Sequence, residues 1–229
     1  NIIKEYFDLN RDYIIINQQL INNDKEMINI IPKCKGYKIL NQDPFEMCIS
    51  YIISQNNNVK RISKSINDIS EKYGKKVIFN NKEYHLFPTY KSLKNISIEE
   101  LRNFKVGFRA EYIRDFLDKY ETLKDINKLN TKEALNELMK VKGIGLKVSS
   151  CILLFGYKRL DTFPIDTWVK KFMKEKYNIE VILQDERLSS VEANNIMIKN
   201  DTSRKKRKKV IDGVSAVIIL QSYLDRKER

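Results

Sequence analysis

Lys147 stands two residues beyond the second glycine of "VKGIGLK" (141–147), and Asp166 lies nineteen residues later, behind the proline of "TFPIDTW" (162–168). A lysine amine is a nucleophile toward electrophilic carbon, and a fixed carboxylate can steady positive charge that develops beside it. The two glycines, Gly143 and Gly145, let the backbone turn tightly and come close to another molecule. A helix that starts just after them offers free N–H groups, which suit a phosphate. The positive end of that helix dipole disfavours a charged ammonium in its first turn. Together with partial burial, this would leave more of the amine neutral and nucleophilic, but Lys147 by itself reads more readily as a solvated or phosphate-facing lysine. Asp166 also fits a helix N-cap, and capping is compatible with an electrostatic role.

These residues need helices to hold them. "TKEALNELMKV" and "GLKVSSCILLFGY" read as the two helices of a hairpin joined by the glycine turn, and "DTWVKKFMKEKY" as the helix capped by Asp166. Upstream, "DPFEMCISYIISQ" is a buried helix with Asp43 as cap and Pro44 in its first turn. In "NNNVKRISKSINDISEKYG" the residues Val59, Ile62, Ile66, Ile69 and Tyr73 share one helical face, and in "RAEYIRDFLDKY" Tyr112, Ile113, Phe116, Leu117 and Tyr120 do so. "SIEELRNF" carries a capping-box pattern, Ser97 to Glu100. Only the stretch 75–90 breaks the helical period and leaves room for a short strand pair. A last helix is expected over Arg207–Leu224. The fold class is all-α.

The chain has 229 residues, with 43 Lys plus Arg against 30 Asp plus Glu, a net charge of +13. That balance points to a polyanionic partner, nucleic acid before membrane. No apolar run approaches a membrane span, and no secretory signal is expected. Three cysteines without CxxC spacing make neither a disulfide framework nor an iron–sulfur or zinc site, so a reducing interior is expected. His85 is the single histidine, which excludes a histidine dyad. Trp168 is expected in the core, and "TSRKKRKKV" (202–210) reads as a solvated charge run.

"VKGIGLKVSSC…FPIDTWVKKF" resembles the helix-hairpin-helix, Gly/Pro…Asp superfamily of DNA glycosylases, and within it the 8-oxoguanine DNA glycosylase/AP lyase group. "QDPFEMCISYIISQNNNVKRI", "YHLFPTYKSL" and "KVGFRAEYI" are similar to segments of that group in the same order, so the likeness runs from about Tyr6 to Leu224. It implies a two-lobed helical fold. Residues 1–32 and 129–229 would form a discontinuous lobe carrying the hairpin, and 33–128 an inserted lobe carrying the DNA wedge. The β-sheet domain that usually precedes this region has no counterpart here, as in a truncated or compact form.

By resemblance, Lys147 attacks the sugar C1′ of a flipped-out nucleotide and Asp166 steadies the cationic sugar. The implied activity is removal of 8-oxoguanine from duplex DNA followed by β-elimination, a bifunctional base-excision-repair enzyme. Asn56 matches the residue that enters the vacated space, Arg61 and Arg109 the contacts to the orphaned cytosine, and Phe108 a wedge beside it. Cys151 and Leu220 fall at base-pocket positions, and Ala216 and Leu220 stand where the group often has Gln and Phe. Lys142 replaces the usual hairpin proline. The backbone carbonyls of Met139, Val141 and Ile144 match a site for a structural monovalent cation (Na+ or K+), with no other cofactor required. The implied partner is double-stranded DNA containing an oxidised purine, bound by an intracellular monomer. Two alternatives stay open: a non-catalytic helix-hairpin-helix module that only grips DNA backbones, and a monofunctional alkylpurine glycosylase of the same fold.

Overall fold

Side-chain caps start many of the expected helices. After α1 (Ile2–Tyr6), Asp12 accepts from the N–H groups of Ile14 and Ile15 to open α2 (Tyr13–Asn23), followed by α3 (Met27–Ile30). Asp43 accepts from the Glu46 N–H and Pro44 presets the first turn of α4 (Pro44–Ser54). Asn58 caps α5 (Val59–Tyr73) through the Arg61 N–H. The two-residue turn Asn80–Asn81, both at positive φ, joins strands β1 (Lys76–Phe79) and β2 (Lys82–His85) into an antiparallel hairpin with Phe79 opposite Lys82. Helix α6 (Tyr90–Leu93) leads to α7 (Ile98–Asn103), whose cap Ser97 accepts from the Glu100 N–H. The Glu100 carboxylate, expected to close a capping box there, instead pairs with Lys72 on α5. Helix α8 (Arg109–Leu123) precedes α9 (Thr131–Leu138), and α9 does have a full capping box between Asn130 and Glu133. The glycine turn then leads into α10 (Leu146–Phe155), and Asp166 caps α11 (Thr167–Tyr177) by accepting from the Val169 N–H at 2.9 Å.

This computed structural model describes residues 2–179 together with 181, 196–198, 207, 210, 213, 214, 217 and 220. It forms two compact units, Asn1–Pro164 and Ile165–Arg229. Of the helix expected over 207–224, the described positions 207, 210, 213, 214, 217 and 220 are helical, and Ala216 lies outside the described residues.

In the first unit α8 lies against α4 and α7, and α4 also packs on α5 and α10. Ile113, Phe116 and Leu117 of α8 join Ile49, Ile52 and Ile53 of α4 in one core with Ile152 and Leu153 of α10 and Leu138 of α9. The Phe45 ring meets Tyr120 edge-on at 5.0 Å. Burial of this many branched and aromatic side chains, each contributing about 1.5–3 kcal/mol, fixes α10 against α4 and leaves its N-terminus at the surface. Val59 departs from the expected apolar face and is 76% exposed, because the core contact of α5 begins only at Ile62.

In the second unit none of the residues of α11 is buried, and the helix ends on Asn178 in the left-handed conformation. Trp168, expected in the core, is 73% exposed, and the Lys171 ammonium lies over its ring. Among the described residues no helix is long and apolar enough to cross a membrane.

Candidate nucleic-acid interface and reactive lysine

The glycine turn has the geometry that its sequence predicts. Gly143 has φ +82°, a left-handed value that side chains rarely adopt, and a Cβ there would strike the Tyr112 ring. At Gly145 a Cβ would meet nothing within 4 Å, so the protein's own packing does not demand glycine. A bare backbone at an open position is what close approach by a second molecule requires. Gly145 is also the N-cap residue of α10, where no side chain caps the first N–H groups. The buried side chains of Val141 and Ile144 anchor the turn from below.

Lys147 lies in the first turn of α10 and is exposed, so the partial burial expected for it is absent. The reason is local. Ser149, Ser150, Cys151 and Ile152 take the core-facing positions of this helix, which leaves Lys147 toward solvent. Asp166 is half-buried and holds the first turn of α11. Lys147 and Asp166 fall in different compact units.

The residues expected at a DNA wedge lie in the first unit. Gly107 at φ +62° turns the chain into α8, which starts at Arg109 with Phe108 as its N-cap residue. Phe108 is 51% exposed, and the Arg109 guanidinium lies 4.5 Å from its ring centre. Arg109 itself is only 5% exposed. Its Nε donates to the Gln55 carbonyl at 2.7 Å, its Nη2 to the Gln55 and Asn56 carbonyls, and its Nη1 to that of Val106 at 3.1 Å. Burial first, and then the neighbouring Arg61 cation, hold this guanidinium below its ordinary pKa. In this structure Arg109 is therefore turned inward, and it fixes the Asn56 loop instead of presenting its fork to solvent. Asn56 is exposed in the left-handed conformation, and Arg61 is exposed in the first turn of α5.

Cys151 is buried beside Tyr51 of α4, and burial followed by that thiol raises the Tyr51 pKa. Its observed role is to pack α10 on α4. Leu220 is 57% exposed. Lys142 spends its backbone N–H on the Asp115 carboxylate at 2.7 Å, a bond that proline at this position could not make. Asp115 and Lys119 hold the turn from α8, a role that the motifs do not reveal. Their only signal in the sequence is an i,i+4 pair of opposite charges.

Two family models match the chain: the N-terminal domain of 8-oxoguanine DNA glycosylase over residues 1–48, and RuvX, a Holliday junction resolvase, over residues 118–226. A solved Clostridium acetobutylicum 8-oxoguanine glycosylase/lyase, in complex with double-stranded DNA containing cytosine opposite 8-oxoguanine, is 34% identical with a TM-score of 0.73. The likeness covers 99% of this chain and 75% of that one. The chain belongs to the 8-oxoguanine DNA glycosylase/lyase family. A probable N-glycosylase/DNA lyase of Methanothermobacter thermautotrophicus is 31% identical over 194 residues, 75% of this chain and 62% of that protein, so the chain spans less than two thirds of this curated relative. A putative pre-16S rRNA nuclease of a Geobacillus species is 53% identical over 58 residues, 25% of this chain and 42% of the nuclease.

The first 48 residues match the N-terminal domain for which no counterpart is expected from the sequence, although the matched part is helical here, from α1 into α4. The expectation of one family up to Leu224 meets a second signature over 118–226.

Proposed function

We propose that this chain is a DNA glycosylase with AP-lyase activity that removes 8-oxoguanine from duplex DNA. The observation that carries the reading is the exposed Lys147 amine in the first turn of α10, directly behind the open Gly143–Gly145 turn. The turn and the uncapped N–H groups of α10 hold the DNA backbone without reading sequence. The target nucleotide leaves the stack at a cost of a few kcal/mol. Asn56 and Phe108 fill and brace the gap, and Arg61 faces the orphaned base.

In the reaction the Lys147 nitrogen bonds to C1′ as the C1′–N9 bond breaks and the base departs with its electron pair and a proton. Opening of the sugar at O4′ leaves an iminium between Lys147 and C1′. Loss of a C2′ proton then expels the 3′-phosphate, which is β-elimination. Asp166 supplies negative charge to the cationic stages.

The carbonyls of Met139, Val141 and Ile144 would hold a monovalent cation that adds positive charge beside the DNA backbone. Of these carbonyls, that of Val141 also accepts from the Ile144 N–H at 3.0 Å, which closes the turn. The free thiols of Cys34, Cys48 and Cys151 suit a reducing compartment.

A second reading comes from the Holliday junction resolvase signature over residues 118–226 and the 53% identity over 58 residues to a putative pre-16S rRNA nuclease. On that reading the stretch toward residue 226 contributes nothing to a base pocket, and Lys147 acts on abasic sites alone. One experiment separates the two. Borohydride trapping is run on duplexes with 8-oxoguanine opposite cytosine, with an abasic site, and without damage, beside Lys147→Gln. A covalent band on the 8-oxoguanine duplex that requires Lys147 supports the glycosylase. A band on abasic DNA only supports the second reading. No band on either substrate removes both.

A further inference from the structure

We propose that Asp115 and Lys119 are positioning residues, which clamp the hairpin turn to α8 and so set how the Gly143–Gly145 backbone meets DNA. The Asp115 carboxylate accepts the Lys142 N–H at 2.7 Å and the Lys119 ammonium at 2.7 and 2.8 Å. Lys119 donates onward to the Lys140 carbonyl at 2.8 Å. One donor and one acceptor of the same turn, two residues apart, are thus held by side chains one helical turn apart on α8. Nearer the start of α8, the Tyr112 ring fills the space that a Cβ on Gly143 would need. A turn bonded at its entry through Lys140 and Lys142 and seated on a ring at Gly143 is tied to α8.

The same helix carries the wedge. Phe108 meets Tyr112 edge-on, ring centres 5.6 Å apart, so one tyrosine touches both the wedge ring and the turn. The element that would enter the base stack and the element that would grip the phosphates are thereby spaced by a single helix. The Lys142–Glu111 contact at 3.3 Å extends the arrangement, but as an exposed pair it contributes little.

Charge alone predicts the opposite outcome to the clamp. Removing an acidic side chain from a protein of net charge +13 should tighten binding to a polyanion. If the clamp sets the turn, the same removal weakens binding. What the turn grips rests on the glycosylase reading, and the experiment keeps the two apart.

The full chain, as wild type, Asp115→Ala and Asp115→Asn, is titrated with a duplex carrying a tetrahydrofuran abasic analogue at fixed salt. The same proteins are then trapped with borohydride on a natural abasic duplex at saturating concentration. Asp115→Ala is expected to lose about tenfold in affinity and to trap more slowly at saturation. Asp115→Asn, which still offers an oxygen to the Lys142 N–H, should recover most of both. Affinity of Asp115→Ala equal to or tighter than wild type overturns the clamp. Absence of trapping by wild type would sink the lyase reading while the affinity comparison still decides the clamp. Should Asp115→Ala fail to fold, amide exchange at Lys142 in the wild-type chain decides instead. Protection of that N–H is expected, and exchange as fast as in an open loop overturns the proposal.

Discussion

The Arg109 guanidinium donates to the carbonyl oxygens of both Gln55 and Asn56, which ties the start of α8 to the loop between α4 and α5. These carbonyls are acceptors that the helices do not use, and a fork of N–H donors satisfies them together with that of Val106. Each buried carbonyl left without a partner costs about 1–3 kcal/mol. Arg109→Ala is therefore expected to destabilise the fold by about 1–3 kcal/mol, measured by urea denaturation. Arg109→Lys should recover only part of this, because a point-like ammonium cannot span the carbonyls. Loss below about 1 kcal/mol for the alanine variant would mean that the network is not holding the loop.

Phe108 touches the same guanidinium and behaves differently. Its ring is half exposed, so Phe108→Ala should change the stability by about 1 kcal/mol or less. Stacking against a base contributes about 1–3 kcal/mol, so the same variant should lose about tenfold in affinity for a duplex containing an abasic analogue. Affinity unchanged while stability falls would place Phe108 in the fold and not in the wedge.

The hairpin clamp has a pH dependence with a definite sign. Burial pushes the Asp115 carboxyl upward, but the hydrogen bond from Lys119 and that from the Lys142 N–H outweigh it, and the pKa is lowered. A carboxyl with a depressed folded-state pKa adds stability above its unfolded pKa, near about 3.9, and loses it as pH falls through the folded value. Wild type should therefore exceed Asp115→Asn in melting temperature at pH 7, and the gap should close only once the pH drops below about 4. A gap that persists unchanged at lower pH would show that the charge on Asp115 is not what the clamp uses.

Much of this arrangement is legible in the amino-acid sequence alone. The caps Asp43, Ser97 and Asp166 announce their helices because a short polar side chain ahead of an apolar period has few other uses. The apolar face of α8 is equally plain, since Ile113, Phe116 and Leu117 recur at helical spacing. Trp168 misleads because an aromatic ring near a cap reads as core, whereas α11 buries none of its residues. Arg109 and Asp115 mislead in a different way. Local sequence shows a charge but not which distant backbone atoms it will meet, and the Gln55 and Lys142 groups they satisfy lie 54 and 27 residues away. The second family signature spans the charge run 202–210, where composition alone offers a solvated surface.

Arg61 provides the sharpest test of how the orphaned base would be read. It is exposed in the first turn of α5, close enough to depress the Arg109 pKa, and it remains free to reach outward. A phosphate contact and a base contact differ in their response to salt and to the opposing base. Loss of a phosphate contact weakens binding alike for every opposing base and reduces the salt slope by about one. Loss of a bidentate base contact removes about 1–3 kcal/mol of discrimination. Arg61→Ala is expected to follow the second pattern: abasic-analogue duplexes with cytosine, adenine or thymine opposite should converge in affinity. A uniform loss with a shallower salt slope would move Arg61 to the DNA backbone.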